Sequence, residues 1–309
     1  MSKVQKLGGV LLVLVLISSV LFLFDGRGGS DQIDRDRFVI ADTAAIDAIH
    51  IQSTDQDIHV VRQGDTWTLN DTLAIDPSLM QITNSIMSQV TVQRPVSQLN
   101  KAEVRQQLEK TGQKVTISLG DERRTFYTGG NLQKTQSYFA DEELEEVYLV
   151  GIPGYHHYIP GIFELTLNQW RDRLLFDSNY RSIQEWTIDY AKGVDLKMEF
   201  EDRFFSIAGV QQVDTAALMS YLNGFEQFQL NDYLSPGKYP RYDSLLTTAP
   251  IAHLSLTDID QRKNRVLDIY AKIPGERFYL YSDANKEMIV VDEKRTEALL
   301  KSPSQFKRE

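Results

Sequence analysis

Apolar positions change their spacing several times along this chain, and each change marks an element. Leu7 to Phe24 is an apolar run without a charge, preceded by Lys3 and Lys6 and followed by Asp25. At about 1.5 Å per residue it spans about 27 Å, against a bilayer core of about 30 Å. This predicts a single transmembrane anchor over residues 1–24. Bulky Leu21, Phe22, Leu23 and Phe24 occupy the exit, where signal peptidase needs small residues. Retention is therefore expected over the alternatives, cleavage near Gly28-Gly29-Ser30 or a buried core helix. The two lysines favour a cytoplasmic N-terminus with the bulk of the chain periplasmic, at the bacterial inner membrane. Residues 25–37 are glycine-rich and charged, and read as a flexible stalk.

From Phe38 onward the period is that of short strands and amphipathic helices. Ile46, Ile49 and Ile51 lead a strand, followed by one with Ile58, Val60 and Val61 and one at Trp67-Thr68-Leu69. Asp76 caps a helix with Pro77 in its first turn and an apolar stripe of Leu79, Ile82, Ile86, Met87 and Val90. A second helix is expected from Asn100, with Glu103 completing a capping box and Gly112 ending it. Strands at Val115–Leu119, Thr125–Thr128, Tyr138-Phe139 and Val147–Val150 follow, then a short helix near Glu164–Arg171.

The same succession restarts at Ile183. Trp186 and Ile188 match Ile49 and Ile51, and Asp214 stands where Asp76 stood. His253–Leu256 matches Thr116–Leu119, and Ile289–Val291 matches Val147–Val150. The expected fold is α+β: a transmembrane helix followed by two similar lobes of mainly antiparallel sheet with short helices, related by internal duplication. The lobes are placed at 38–180 and 181–309. The period is far too long for a solenoid.

Charge narrows the partners. The chain carries a formal −10, and setting aside the two anchor lysines leaves −12. That argues against nucleic acid and against lying flat on anionic lipid, both of which need clustered Lys and Arg. There is no cysteine, which removes disulfides, thiolate metal sites, cysteine nucleophiles and lipoprotein processing together.

No assembled catalytic motif is visible: no nucleophile elbow, phosphate loop, dinucleotide fingerprint or H-E-x-x-H. No catalytic residue, cofactor or metal set is expected. His50, His59 and His253 read as polar, outward strand positions. The carboxylates at Asp141–Glu146 and at Asp55 and Asp57 read as solvated, without the glycine and terminal glutamate of a calcium loop. Two loops stand out. Tyr155, His156, His157 and Tyr158 lie between two Ile-Pro-Gly turns; a structural turn, a partner-binding loop and a metal site are the readings open to them. Tyr233, Tyr239 and Tyr242 lie in a proline-aromatic loop that reads as an insertion. Trp170, Arg171, Asp172 and Arg173 form the densest polar motif, read as a buried cation–π and ion-pair knot closing the first lobe, with an anion site as the alternative.

Four features together resemble the domain-of-unknown-function 4340 family of membrane-anchored bacterial proteins. They are the anchor with its stalk, Phe38–Thr43 leading into Ile46–Ile49, Val150–Tyr155, and Trp170–Phe176. The resemblance implies no established activity. It implies association with ABC-type transport systems, including gliding-motility-like ones. The functional expectation is a non-catalytic, membrane-tethered interaction or scaffold subunit of an envelope assembly, accessory to an ABC-type transporter. It would contact the membrane through residues 7–24 and other envelope proteins through its loops. The alternative is a periplasmic small-ligand or lipid-binding protein with a pocket between the lobes.

Overall fold

Alternation of apolar and polar residues decides which side of each strand is buried. In the computed structural model, residues 33–235 and 237–308 are described, with Val15 and Ser19 as isolated positions. The anchor expected over residues 1–24 lies outside the described residues, as do residues 25–32 of the stalk. Among the described residues, no helix is long and apolar enough to cross a membrane. The end of the expected stalk is docked instead of free. The Arg35 carbonyl accepts from Val92 N (2.9 Å), and Arg37 lies 5.3 Å from the Tyr148 ring centroid.

The chain divides into two compact units, one ending at Asp71 and resuming over Ser78–Glu164, the other Thr72–Pro77 with Leu165–Glu309. The strands in chain order are β1 (Ala48–Gln52), β2 (Asp57–Gln63), β3 (Thr66–Leu69), β4 (Leu73–Ala74), β5 (Thr91–Pro95), β6 (Gln113–Leu119), β7 (Glu122–Gly130), β8 (Ser137–Asp141) and β9 (Val147–Gly151). They continue with β10 (Leu174–Phe176), β11 (Ile183–Tyr190), β12 (Leu196–Glu201), β13 (Phe204–Ile207), β14 (Phe228–Gln229), β15 (Asp232–Leu234), β16 (Ala252–Asp258), β17 (Arg265–Ile269), β18 (Phe278–Ser282) and β19 (Met288–Asp292).

In the first unit the strands run β3-β2-β1-β6-β7-β8-β9-β5. In the second they run β13-β12-β11-β16-β17-β18-β19-β15. The order is the same, strand for strand, and every described pairing is antiparallel. The fold is thus sheet-dominated and antiparallel with short helices.

The inward faces correspond too. Ile49 and Ile51 of β1, Val60 of β2 and Val115 of β6 have no exposed area; Trp186, Ile188, Met198 and Leu254 hold the matching places at 1% or less. Each such apolar side chain contributes about 1.5–3 kcal/mol by leaving water. Register refines the sequence match: Ile49 opposes Ile117 and Trp186 opposes Leu256, so Leu256 corresponds to Ile117, not to Leu119. A helix covers each sheet. Pro77–Gln89 buries Met80, Thr83, Ile86 and Met87, and Thr215–Asn223 buries Leu218 and Leu222. Asp214 caps the latter, accepting from Ala216 N and Ala217 N.

Two expectations are corrected. The helix expected from Asn100 spans Gln98–Thr111, because the Ser97 carbonyl already accepts from Asn100 N and Lys101 N. The lobe boundary moves from 180 to 164, and residues 72–77 join the second unit. Asp76 N donates to the Trp170 carbonyl (3.0 Å), Asp172 N to Ala74 O (2.9 Å) and Leu230 N to Arg173 O (2.9 Å), while β10 pairs with β14.

Candidate functional site

The Trp170–Arg173 motif follows a single helical turn, Leu167–Trp170, whose Gln169 side chain accepts from Thr166 N (2.9 Å). Beyond that turn the backbone is extended at Arg171, where it bridges to Ile75. Arg171 is buried, and its guanidinium carbon lies 3.4 Å from the Tyr233 ring centroid. It grips Glu287 with both terminal nitrogens, the Nη2–Oε2 contact being 2.7 Å. Burial alone favours loss of the Arg171 charge, yet hydrogen bonding to Glu287 and its charge outweigh this and raise the pKa. Burial raises the Tyr233 phenol, with Arg171 opposing, and burial also raises Asp172, opposed by Leu174 N. Trp170 is fully buried but is not the ring beneath the arginine, and its Nε1 finds no partner among the described residues. The knot therefore belongs to the second unit and uses Tyr233 as its aromatic face.

The proline-aromatic loop is mostly an inward structure. Tyr233 lies on β15, held by its backbone carbonyl to Asn168 Nδ2 (2.7 Å) and by its hydroxyl to the Asp172 carbonyl (2.8 Å). Tyr242 stacks edge-on against Phe278 (5.9 Å) and donates to Glu276 (3.2 Å). Only Tyr239 of the three is exposed. The loop is also no insertion, because β15 occupies the place that β5 holds in the first unit.

The loop from Ile152 to Ile159 separates into a base and a tip. Tyr155 N closes a tight turn onto Ile152 O (3.0 Å), with Gly154 at φ +77°. That left-handed conformation is one a side chain rarely adopts. Behind the turn, Tyr158 donates to Glu164, which also pairs with Lys134 (2.7 Å). Burial, with help from Glu164, pushes the Tyr158 phenol far up. Ile159 N donates to Ser137 Oγ (3.1 Å), and Ile159, Pro160 and Ile162 are buried. Tyr155, His156 and His157 are left in solvent, with Tyr155 and His157 ring to ring at 5.0 Å. Neither histidine contacts a carboxylate among the described residues. The arrangement can present a fixed aromatic surface, and it assembles no nucleophile–base pair.

Three carboxylates of the Asp141–Glu146 stretch are paired: Asp141 with Arg37 (3.8 Å), Glu142 with Lys114 (2.9 Å) and Glu146 with Lys101 (3.3 Å). A cleft of about 570 Å³ lies within the second unit, walled by Tyr221, Phe225, Phe228, Leu299 and Phe306 with Arg295 and Lys301 at its polar side. Sequence reasoning missed it, and also missed Glu287 as the partner of Arg171, since the two are 116 residues apart with no local signal. It kept His50 and His59 separate, which the β1–β2 register corrects by setting them opposite one another, with Asp57 beside them. The available signal was H-x-Q and D-x-H facing across a four-residue turn.

No curated protein and no solved structure matches the chain significantly. The sequence profile described as "Domain of unknown function (DUF4340)" matches residues 67–245. The match takes in the first-unit sheet from β3 onward, Arg171 and Tyr233 of the arginine knot, the aromatic tip and the second unit as far as Leu245, more than half of the chain: the protein is a member of the DUF4340 family.

Proposed function

We propose that this chain is a non-catalytic interaction or scaffold subunit of a bacterial envelope assembly. Residues 7–24 tether it to the inner membrane, its N-terminus is cytoplasmic and its lobes are periplasmic. The assembly it serves is an ABC-type transporter. We also propose that the lobes descend from one duplicated ancestor; their equal strand order and matching buried positions support this.

The observation that carries the interaction reading is the Tyr155-His156-His157 tip. Three ring-bearing side chains stand in solvent on a turn whose base is fixed by Tyr158, Glu164 and Ser137. Rigid aromatic side chains lose little entropy on binding and serve as interface anchors. A photo-crosslinking residue at Tyr155 in intact cells, read by mass spectrometry, tests it. Adducts to a transporter subunit are expected from position 155 and not from exposed Val194 (69% accessible). The same adducts from both positions, or none, count against the reading.

The cleft of the second unit favours a second reading, a small amphiphilic ligand, because aromatic walls there meet the cations Arg295 and Lys301. Retention of a lipid or metabolite through purification, seen by native mass spectrometry, supports it. An empty chain removes it.

A further inference from the structure

We infer that His50, Asp57 and His59 form a binding site for a divalent transition metal of the zinc class on the outer face of the first unit. The hairpin of β1 and β2 builds it. His50 is directly opposite His59, and Gln52 opposite Asp57, so Asp57 lies diagonal to His50. Alternation sends Ile49, Ile51, Ile58 and Val60 into the core with no exposed area, which fixes the two histidines and the aspartate on the outward side.

The donor atoms converge. His50 Nε2 is within hydrogen-bond reach of Asp57 Oδ1, His59 Nε2 is 3.4 Å from the same oxygen, and all three donors lie within 4.8 Å of one another. A tetrahedral zinc with bonds of about 2.0–2.1 Å sets its ligand atoms about 3.3 Å apart. The two rings are stacked, centroids 3.7 Å apart at 22°, with their Nε2 atoms on the same carboxylate. Two imidazoles and one carboxylate leave a position for water, as sites with three protein ligands do.

The fold does not require this grouping. In the second unit the positions equivalent to His50 and His59 are Thr187 and Lys197, opposite one another in the same way. There Lys197 pairs with Glu185 (3.1 Å) and Glu199 (3.3 Å), an ordinary surface ion ladder. The histidine–aspartate set therefore belongs to one lobe alone, on a framework that both lobes share.

The test uses the full-length chain, stripped with chelator and titrated with Zn²⁺ against a chromophoric competitor. One zinc per chain is expected, with a Kd of about 10 µM or tighter. His59→Ala and Asp57→Asn each weaken binding by at least about tenfold, since even outer-shell changes cost that much. The double variant His156→Ala with His157→Ala leaves it unchanged. Zinc raises the thermal midpoint of the parent and not of the two site variants. Because Asp57 and His59 are exposed, the metal-free midpoints of the two site variants match the parent. No binding, or one-to-one binding that survives both site substitutions, overturns the inference. Co²⁺ in place of Zn²⁺ adds a visible absorption that the site variants must lose.

Discussion

Arg171 sits 3.4 Å above the Tyr233 ring, and the hydroxyl of that same tyrosine holds the carbonyl of the next residue, Asp172, at 2.8 Å. The arginine is thus clasped from below by a ring whose far end fastens its own backbone, while Glu287 takes both terminal nitrogens. Removing one member of a fully buried charge pair costs about 3–5 kcal/mol; here Arg171 is buried and Glu287 half-buried, which sets the loss at the low end of that range. Arg171→Leu is expected to lose about 3 kcal/mol, read as a shift in denaturant midpoint. Arg171→Lys recovers less than half of it, because a point charge replaces neither the fork nor the stacking. A leucine variant within about 0.5 kcal/mol of the parent would show that the clasp holds nothing.

The two buried tryptophans of the second unit should respond differently to trimming. Trp186 Nε1 donates to Tyr221 Oη (2.8 Å), which donates in turn to the Leu299 carbonyl (2.7 Å), whereas Trp170 Nε1 has no partner among the described residues. Trp186→Phe loses a buried hydrogen bond as well as volume, and Trp170→Phe loses volume alone. The first is expected to cost about 1–2 kcal/mol more than the second by equilibrium unfolding. Equal costs would contradict the hydrogen-bond argument.

Asp258 supplies an acid limb to the stability of the second unit. Burial disfavours its charge, but the Ser182 hydroxyl, which donates to it at 2.7 Å, Asp260 N and the Lys263 charge prevail and hold its carboxyl below the usual aspartate value. A lowered folded pKa gives stability that is present above the unfolded value of about 3.9 and is lost as pH falls through the folded one. Asp258→Asn is therefore expected to be less stable than the parent at pH 7, with the gap narrowing toward pH 3. Urea midpoints at both pH values decide it, and a gap that widens in acid would reverse the sign.

Gly130, at the end of β7, has no room for a side chain. A Cβ there would overlap both the Tyr158 ring and the Gln136 carbonyl. Gly130→Ala is expected to cost more than about 2 kcal/mol and to displace Tyr158 from Glu164. Tyr155→Ala at the exposed tip stays within about 0.5 kcal/mol of the parent by the same unfolding measurement. Comparable losses from both would mean that the tip is packed and is not a presented surface.

Strands with two or more inward apolar residues were legible, since β1, β2, β6 and β12 alternate over their buried residues. The two closing edge strands, β5 and β15, were not. β5 (T-V-Q-R-P) buries Val92 alone and ends in proline, and β15 has three residues inside an aromatic run, so neither carries a period. Missing β15 made its loop look like an insertion and its tyrosines look presented. Tyr233 is in fact the seat of Arg171, a contact set by strands 60 residues and more apart, about which local spacing is silent. The histidine cluster was legible in principle, but only once β1 and β2 were paired in register and their outward faces compared.

The placement of β5 has a consequence for how the chain is made. This strand is synthesised before β6 to β9, yet it closes the far margin of the sheet, its Thr91 side chain bonding Gly151 sixty residues downstream. β15 repeats the device against β19. A ribosome must therefore deliver nearly an entire lobe before that margin is sealed, and the waiting segment, with its proline and its charged arginine, is poorly suited to pairing with a stranger in the meantime.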